Sequence, residues 1–114
     1  METKPTTVVE LTSFIRSAGR VWDDDERGEF IDYIARNPDA GVIVPATGGL
    51  RKVRWGRPGS GKRGGVRVIY FYYDVDNPLF LLALYAKAER GDLSQDEKKI
   101  FVELVAEMKR GLRH

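Results

Sequence analysis

Leu50-Arg-Lys-Val-Arg-Trp55 and Val66-Arg-Val-Ile-Tyr-Phe-Tyr-Tyr73, joined by the glycine-rich run from Gly56 to Gly65, are two β-branched and aromatic stretches with turn residues between them. They predict a pair of neighbouring strands. Asp74-Val-Asp-Asn-Pro78 turns the second stretch into a third, Leu79 to Lys87, and Pro45-Ala-Thr-Gly-Gly49 separates the first from an earlier short one, Gly41-Val-Ile-Val44. Four strands with short connections favour antiparallel pairing.

Outward from this centre the pattern changes period. Thr7-Val-Val-Glu-Leu11 reads as a further short strand, with Thr12 or Ser13 as the cap of a helix that carries Phe14, Ile15, Ala18, Val21 and Trp22 at three- and four-residue spacing. The acidic run Asp23-Asp-Asp-Glu26 interrupts that stripe and suits the start of a second helix, whose apolar face is Phe30, Ile31, Tyr33 and Ile34. Asn37-Pro38 ends it, because a residue before proline avoids the α region. At the other end, Ser94-Gln-Asp-Glu97 is a capping box, followed by Ile100, Phe101, Leu104, Val105 and Met108 on one helical face and closed by Gly111. The predicted order is βααββββα: an α+β fold with a small antiparallel or mixed sheet, two N-terminal helices and one C-terminal helix, the helices gathered on one side. At 114 residues and 42% hydrophobic, residues 1–114 are expected to form one domain.

Between Ala40 and Tyr73 stand seven cations and no carboxylate: Arg51, Lys52, Arg54, Arg57, Lys62, Arg63 and Arg67. Of 19 basic residues, 12 remain to face 17 acidic ones elsewhere, so the net charge of +2 conceals a strongly basic centre in an acidic surround. Such a block calls for a polyanion, and phosphate is the natural complement. With no cysteine and a single histidine, His114, disulfides, thiolate metal sites and cysteine nucleophiles are excluded, and no cofactor or metal is expected. No apolar run approaches the ~20 residues that span a bilayer. The start Met1-Glu-Thr-Lys-Pro5 lacks the pattern of a signal peptide, so a soluble protein of the cytoplasm is expected.

Gly56-x-x-x-x-Gly61-Lys62 has the spacing of a phosphate-binding P-loop, but Arg63 stands where Ser or Thr would hold magnesium, and strand follows where the motif needs a helix. It reads as a basic hairpin connection. Alternation along Leu50–Trp55 puts Val53 and Trp55 on one face and Lys52 and Arg54 on the other. Cations on a single strand commonly guard a sheet edge. Arg67 from the next strand, and Arg57, Lys62 and Arg63 from the connection, converge on the same region and point instead to a site. Lys87, Glu89, Arg90 and Asp92 read equally well as a solvated charged turn or as a site rim, and most of the tyrosines read as core with a wet hydroxyl.

At Gly48-Gly-Leu-Arg-Lys-Val-Arg-Trp55, Gly61-Lys-Arg-Gly-Gly-Val-Arg-Val-Ile-Tyr70 and Tyr85-Ala-Lys-Ala-Glu-Arg-Gly-Asp-Leu-Ser94, the chain resembles the HigB-like branch of the RelE/ParE toxin superfamily. The resemblance implies a RelE-like fold and a toxin of a bacterial type II toxin–antitoxin module, an endoribonuclease that cleaves messenger RNA in the ribosomal A site. It implies catalytic roles for Lys52, Arg54, Arg67 and Lys87, with Arg51 and Glu89 binding RNA or the ribosome; Arg57, Lys62 and Arg63, in the basic connection, are expected to grip ribosomal RNA beside them. The implied partners are the ribosome, messenger RNA and a helix-turn-helix, HigA-like antitoxin, through which alone operator DNA would be bound. Well-studied relatives carry a tyrosine near the site where Leu93 and Ser94 stand here. Two other readings fit the same charge: a ParE-like poison of DNA gyrase without nuclease activity, and a non-catalytic RNA-binding module.

Overall fold

A computed structural model describes residues 4–56 and 65–113. The P-loop-like connection, with Arg57, Lys62 and Arg63, lies outside the described residues, as does His114. The elements run β1 (Val8–Glu10), α1 (Thr12–Ala18), α2 (Asp24–Arg36), β2 (Val42–Ile43), β3 (Leu50–Trp55), β4 (Val66–Phe71), β5 (Leu79–Ala86) and α3 (Gln95–Arg110). This is the expected βααββββα order, an α+β fold of the RelE-like kind. One five-stranded sheet has the order β1-β5-β4-β3-β2, antiparallel except where β1 lies parallel to β5. No helix among the described residues is long and apolar enough to cross a membrane.

The helices do not gather on one side. Phe14, Ala18, Phe30 and Ile34 from α1 and α2 pack with Val53, Val66, Val68 and Tyr70, whereas Phe101 and Val105 from α3 pack with Leu50, Ile69 and Phe71. Alternate residues of one strand thus enter two different cores, so the sheet is sandwiched. The physical reason is that β4 and β5 are apolar on both faces, and a strand of that kind needs cover on both.

The register in β5 contains an irregularity with consequences for the site. Ile69 pairs with Ala83 but Tyr70 pairs with Leu81, leaving Leu82 as an extra residue, a β-bulge. Leu82 and Ala83 consequently both join the α3 core, although they are sequence neighbours. Beyond the bulge, Tyr85 falls on the α3 face opposite Arg67.

Several ends differ from expectation, each for a local reason. Neither Thr12 nor Ser13 caps α1, whose N-cap is Leu11. The Ser13 hydroxyl instead donates to Leu82 O, while the Ser17 hydroxyl accepts from Leu84 N at 3.1 Å. Both serve the outer edge of β5, which β1 pairs only from Leu79 to Leu81. The helix stops at Ala18, with Val21 and Trp22 in the turn beyond it. Asp23 caps α2 by accepting from Glu26 N at 2.8 Å, and Asn37 ends it. The capping box of α3 is present as expected, Ser94 and Glu97 each bonding the other's backbone N–H.

Candidate active site

The strand pair β3–β4 decides where the cations go. Lys52 and Arg54 share the parity of Leu50, and Arg67 that of Ile69 and Phe71, so all three leave the sheet on its α3 face. Arg54 and Arg67 stand directly opposite each other in the register. Opposed side chains on adjacent strands have Cβ atoms about 4.5–5.5 Å apart, and like charges so placed destabilise the pair. Arg54 has no ion-pair partner among the described residues. The register thus places two guanidinium groups side by side next to the core, where a single anion could be held by both.

Lys87 lies one residue past β5, its backbone N–H donating to Gly65 O at 3.1 Å and its Nζ to Gly91 O at 2.8 Å. Gly65, at φ 58°, lets the chain enter β4 close against the end of β3, because a Cβ there would stand 2.5 Å from Trp55 O. Lys87 is thereby tied to the hairpin end that also presents Arg54 and Arg67.

A carboxylate from the charged turn, which the sequence left between solvated turn and site rim, enters this cluster. Asp92 Oδ1 lies 3.7 Å from Lys52 Nζ and accepts from the Tyr85 hydroxyl at 3.4 Å, and Oδ2 lies 4.0 Å from Lys98 Nζ. The Leu93 N–H donating to Oδ1, helped by Lys52 and Lys98, holds the Asp92 carboxyl below its usual range despite partial burial. Lys52 is therefore not surrounded by cations alone. Burial, and then the Asp92 charge, raises the pKa of the Tyr85 phenol, while Arg67 opposes the shift.

The remaining candidates separate from this group. Arg51 has the opposite parity and leaves the sheet on the α2 face, where its guanidinium donates to Gly41 O at 3.1 Å and lies 3.5 Å from Asp39. Tyr70 completes that network, donating its hydroxyl to Pro38 O and accepting from Gly41 N. Glu89 is exposed in the turn after Lys87. Leu93 is buried in the α3-face core and Ser94 caps α3, so the positions where relatives carry a tyrosine serve the fold. Tyr70, Tyr72 and Tyr85 are buried, as expected, and Tyr73 is half exposed.

Asp92, Tyr85 and Lys98 are the members of the site that sequence reading did not assign. The available signal was the capping box: it fixes the start of α3, and the charged turn before it must cross the sheet end to reach that start. Among the described residues no group of three His, Cys, Asp or Glu side chains is placed to hold a metal ion.

Arg90 flanks the site over the Tyr85 ring, 5.3 Å from its centroid, and donates to Glu97 Oε2 at 2.8 Å. That bond, with the Ser94 N–H behind it, brings the Glu97 carboxyl from the ordinary 4.5 down to about 2. A carboxyl with a depressed folded-state pKa stabilises the fold above its unfolded pKa, and the contribution disappears as pH falls through the folded value. Thermal melts from pH 7 downward should therefore show wild type losing its advantage over Glu97→Gln between about pH 4.5 and 2. Parallel melting curves over that window would show that the pair contributes nothing.

The described residues form a small α+β protein that opposes two arginines, flanked by two lysines, at one end of a sheet face. A family model described as the RelE toxin of the RelE/RelB toxin–antitoxin system matches residues 35–112, which include β2 to β5, α3 and the whole basic cluster. The chain belongs to that family. It is the toxin of a toxin–antitoxin pair, and its cognate partner is an antitoxin.

Proposed function

We propose that this toxin is a ribosome-dependent endoribonuclease of the HigB-like branch, cutting messenger RNA in the ribosomal A site and so stopping translation in the bacterial cytoplasm. The observation that carries the reading is the cross-strand opposition of Arg54 and Arg67 between Lys52 and Lys87. In the reaction the ribose O2′ forms a bond to the adjacent phosphorus and the P–O5′ bond breaks. The O2′ proton leaves to a base, and O5′ gains a proton. Arg54 and Arg67 bind the non-bridging oxygens, and their planar, permanently charged donors oppose the charge that builds up on phosphorus. Proton transfer falls to Lys52 or Lys87 in the absence of a histidine within the described residues. Asp92 positions Lys52 and keeps its ammonium directed across the sheet end.

Residues 1–114 act as one toxin domain without a cofactor. The partner is a helix-turn-helix, HigA-like antitoxin, and operator DNA is reached through it alone. Arg57, Lys62 and Arg63 grip ribosomal RNA.

Four cations do little to hold RNA with its 2′-oxygen in line for attack, and the ribosome supplies that alignment. Purified toxin should cleave a messenger on translating ribosomes and leave the same RNA essentially intact when free. Equal rates on both would refute ribosome dependence. Intact messenger ends with growth arrest would favour a gyrase poison, and RNA binding with neither effect a non-catalytic module.

A further inference from the structure

We propose that the groove between α1 and α3, beside the active site, is a second RNA subsite that holds the phosphodiester backbone of the messenger strand next to the scissile bond. The proposal rests on the nuclease reading above and adds a place for the flanking strand. β1 stops pairing at Leu81, so among the described residues the outer edge of β5 from Leu82 to Ala86 has no strand partner. The groove along that edge encloses about 570 Å³ and is lined by Arg16, Arg20, Tyr85, Glu89, Arg90 and Phe101, among others. Its volume falls within the ~300–1,000 Å³ usual for ligand sites.

Three observations point to a phosphate chain. Arg16 and Arg20 are exposed, and neither has an ion-pair partner among the described residues. Arg16, in the last turn of α1, gains from the helix dipole, but Arg20 lies beyond the helix and has no such structural reason to be basic. Arg90 is held over Tyr85 with its charge balanced by Glu97, so Arg16 and Arg20 together outweigh Glu89 in the remaining field. The groove is also continuous with the reaction site. Tyr85 is their shared wall, opposite Arg67 in the register and beneath Arg90. A strand whose scissile phosphate lies between Arg54 and Arg67 passes over Arg90, which covers Tyr85, and brings its neighbouring phosphates to Arg16 and Arg20.

The test compares full-length wild type with Arg16→Gln/Arg20→Gln, both at exposed positions, where only the small dipole interaction of Arg16 is lost and a melting curve confirms that the variant is folded. Two arms separate the sources of phosphate: a fluorescent single-stranded oligoribonucleotide, and ribosomes carrying no messenger. The double variant should bind the oligoribonucleotide about tenfold more weakly at low salt. Its log–log salt slope should flatten by about 0.7 for each phosphate that is no longer neutralised. Binding to empty ribosomes should not change. An unchanged oligoribonucleotide affinity and slope, or no wild-type binding to the oligoribonucleotide, overturns the subsite while wild-type cleavage on ribosomes still upholds the nuclease reading. A loss confined to empty ribosomes assigns the groove to ribosomal RNA and overturns the proposal. A loss confined to antitoxin affinity assigns it to the protein partner and overturns the proposal equally. Wild type that leaves translated messenger intact removes the nuclease reading and the subsite with it.

Discussion

Arg67→Ala should lower the rate of messenger cleavage on ribosomes by about 10²–10³-fold, the loss expected when one donor to a developing oxyanion is removed, or roughly 2.7–4 kcal/mol of transition-state stabilisation. Arg54→Ala should behave alike, since the two residues are opposed in the register and, in the proposed reaction, address one phosphate from neighbouring strands. The effect should fall on kcat, because the charge they meet is greatest in the transition state. Stability should move the other way. Relieving a directly opposed like-charge pair is worth a few tenths of a kcal/mol or more, so Arg54→Ala should not melt below wild type. An arginine kept for folding would produce the opposite pattern. The assignment fails if both alanine variants retain more than a tenth of the wild-type rate.

Phe30→Ala should cost about 3–5 kcal/mol of folding stability, the range for deleting a buried aromatic ring. Phe30 has no exposed surface and is the hub of the α2-side core, with ring centroids 5.3 Å from Trp22 and 5.4 Å from Trp55. Domains of this kind are stable by only about 5–15 kcal/mol, so the variant should unfold at much lower urea and melt at least ~10 °C lower. Trp22 and Trp55 are the two tryptophans of the chain and both touch this ring, which makes intrinsic fluorescence a direct monitor of the transition. Trp55 also ends the strand that carries Lys52 and Arg54. A loss below about 1 kcal/mol would mean that the cavity refills and that Phe30 is not the hub.

The elements themselves were legible because each carries a local signal: the capping box before α3, proline after α2, glycine and proline between the strands. The arrangement of helices about the sheet was misread. Helical periodicity reveals that a helix has an apolar face, not which side of a sheet receives it. The signal lay in the strands: Leu79-Phe-Leu-Leu-Ala-Leu-Tyr-Ala86 has no polar alternation, and a strand without alternation is covered on both faces. Lys52, Arg54 and Arg67 could be placed together by counting along two strands. Asp92 could not, being forty positions beyond Lys52 and joined to it only by the path of the turn. The bulge at Leu82 is likewise invisible in a run of uniform leucines and alanine, yet it sets the face on which Tyr85 meets Arg67.

The parallel pairing of β1 with β5 also has a meaning in time. Val8 meets Leu79, and Ser13 and Ser17 meet the edge just beyond it, so the N-terminal segment can settle only after the chain 71 positions later has been made. At roughly 5–20 residues per second, that is a delay on the order of 4–14 s during synthesis. Non-local pairings of this kind are also the slow ones to close. The helix that forms one wall of the α1–α3 groove therefore has no edge to dock on until β5 has been made, and the groove is completed only when α3, the last element of the chain, is in place.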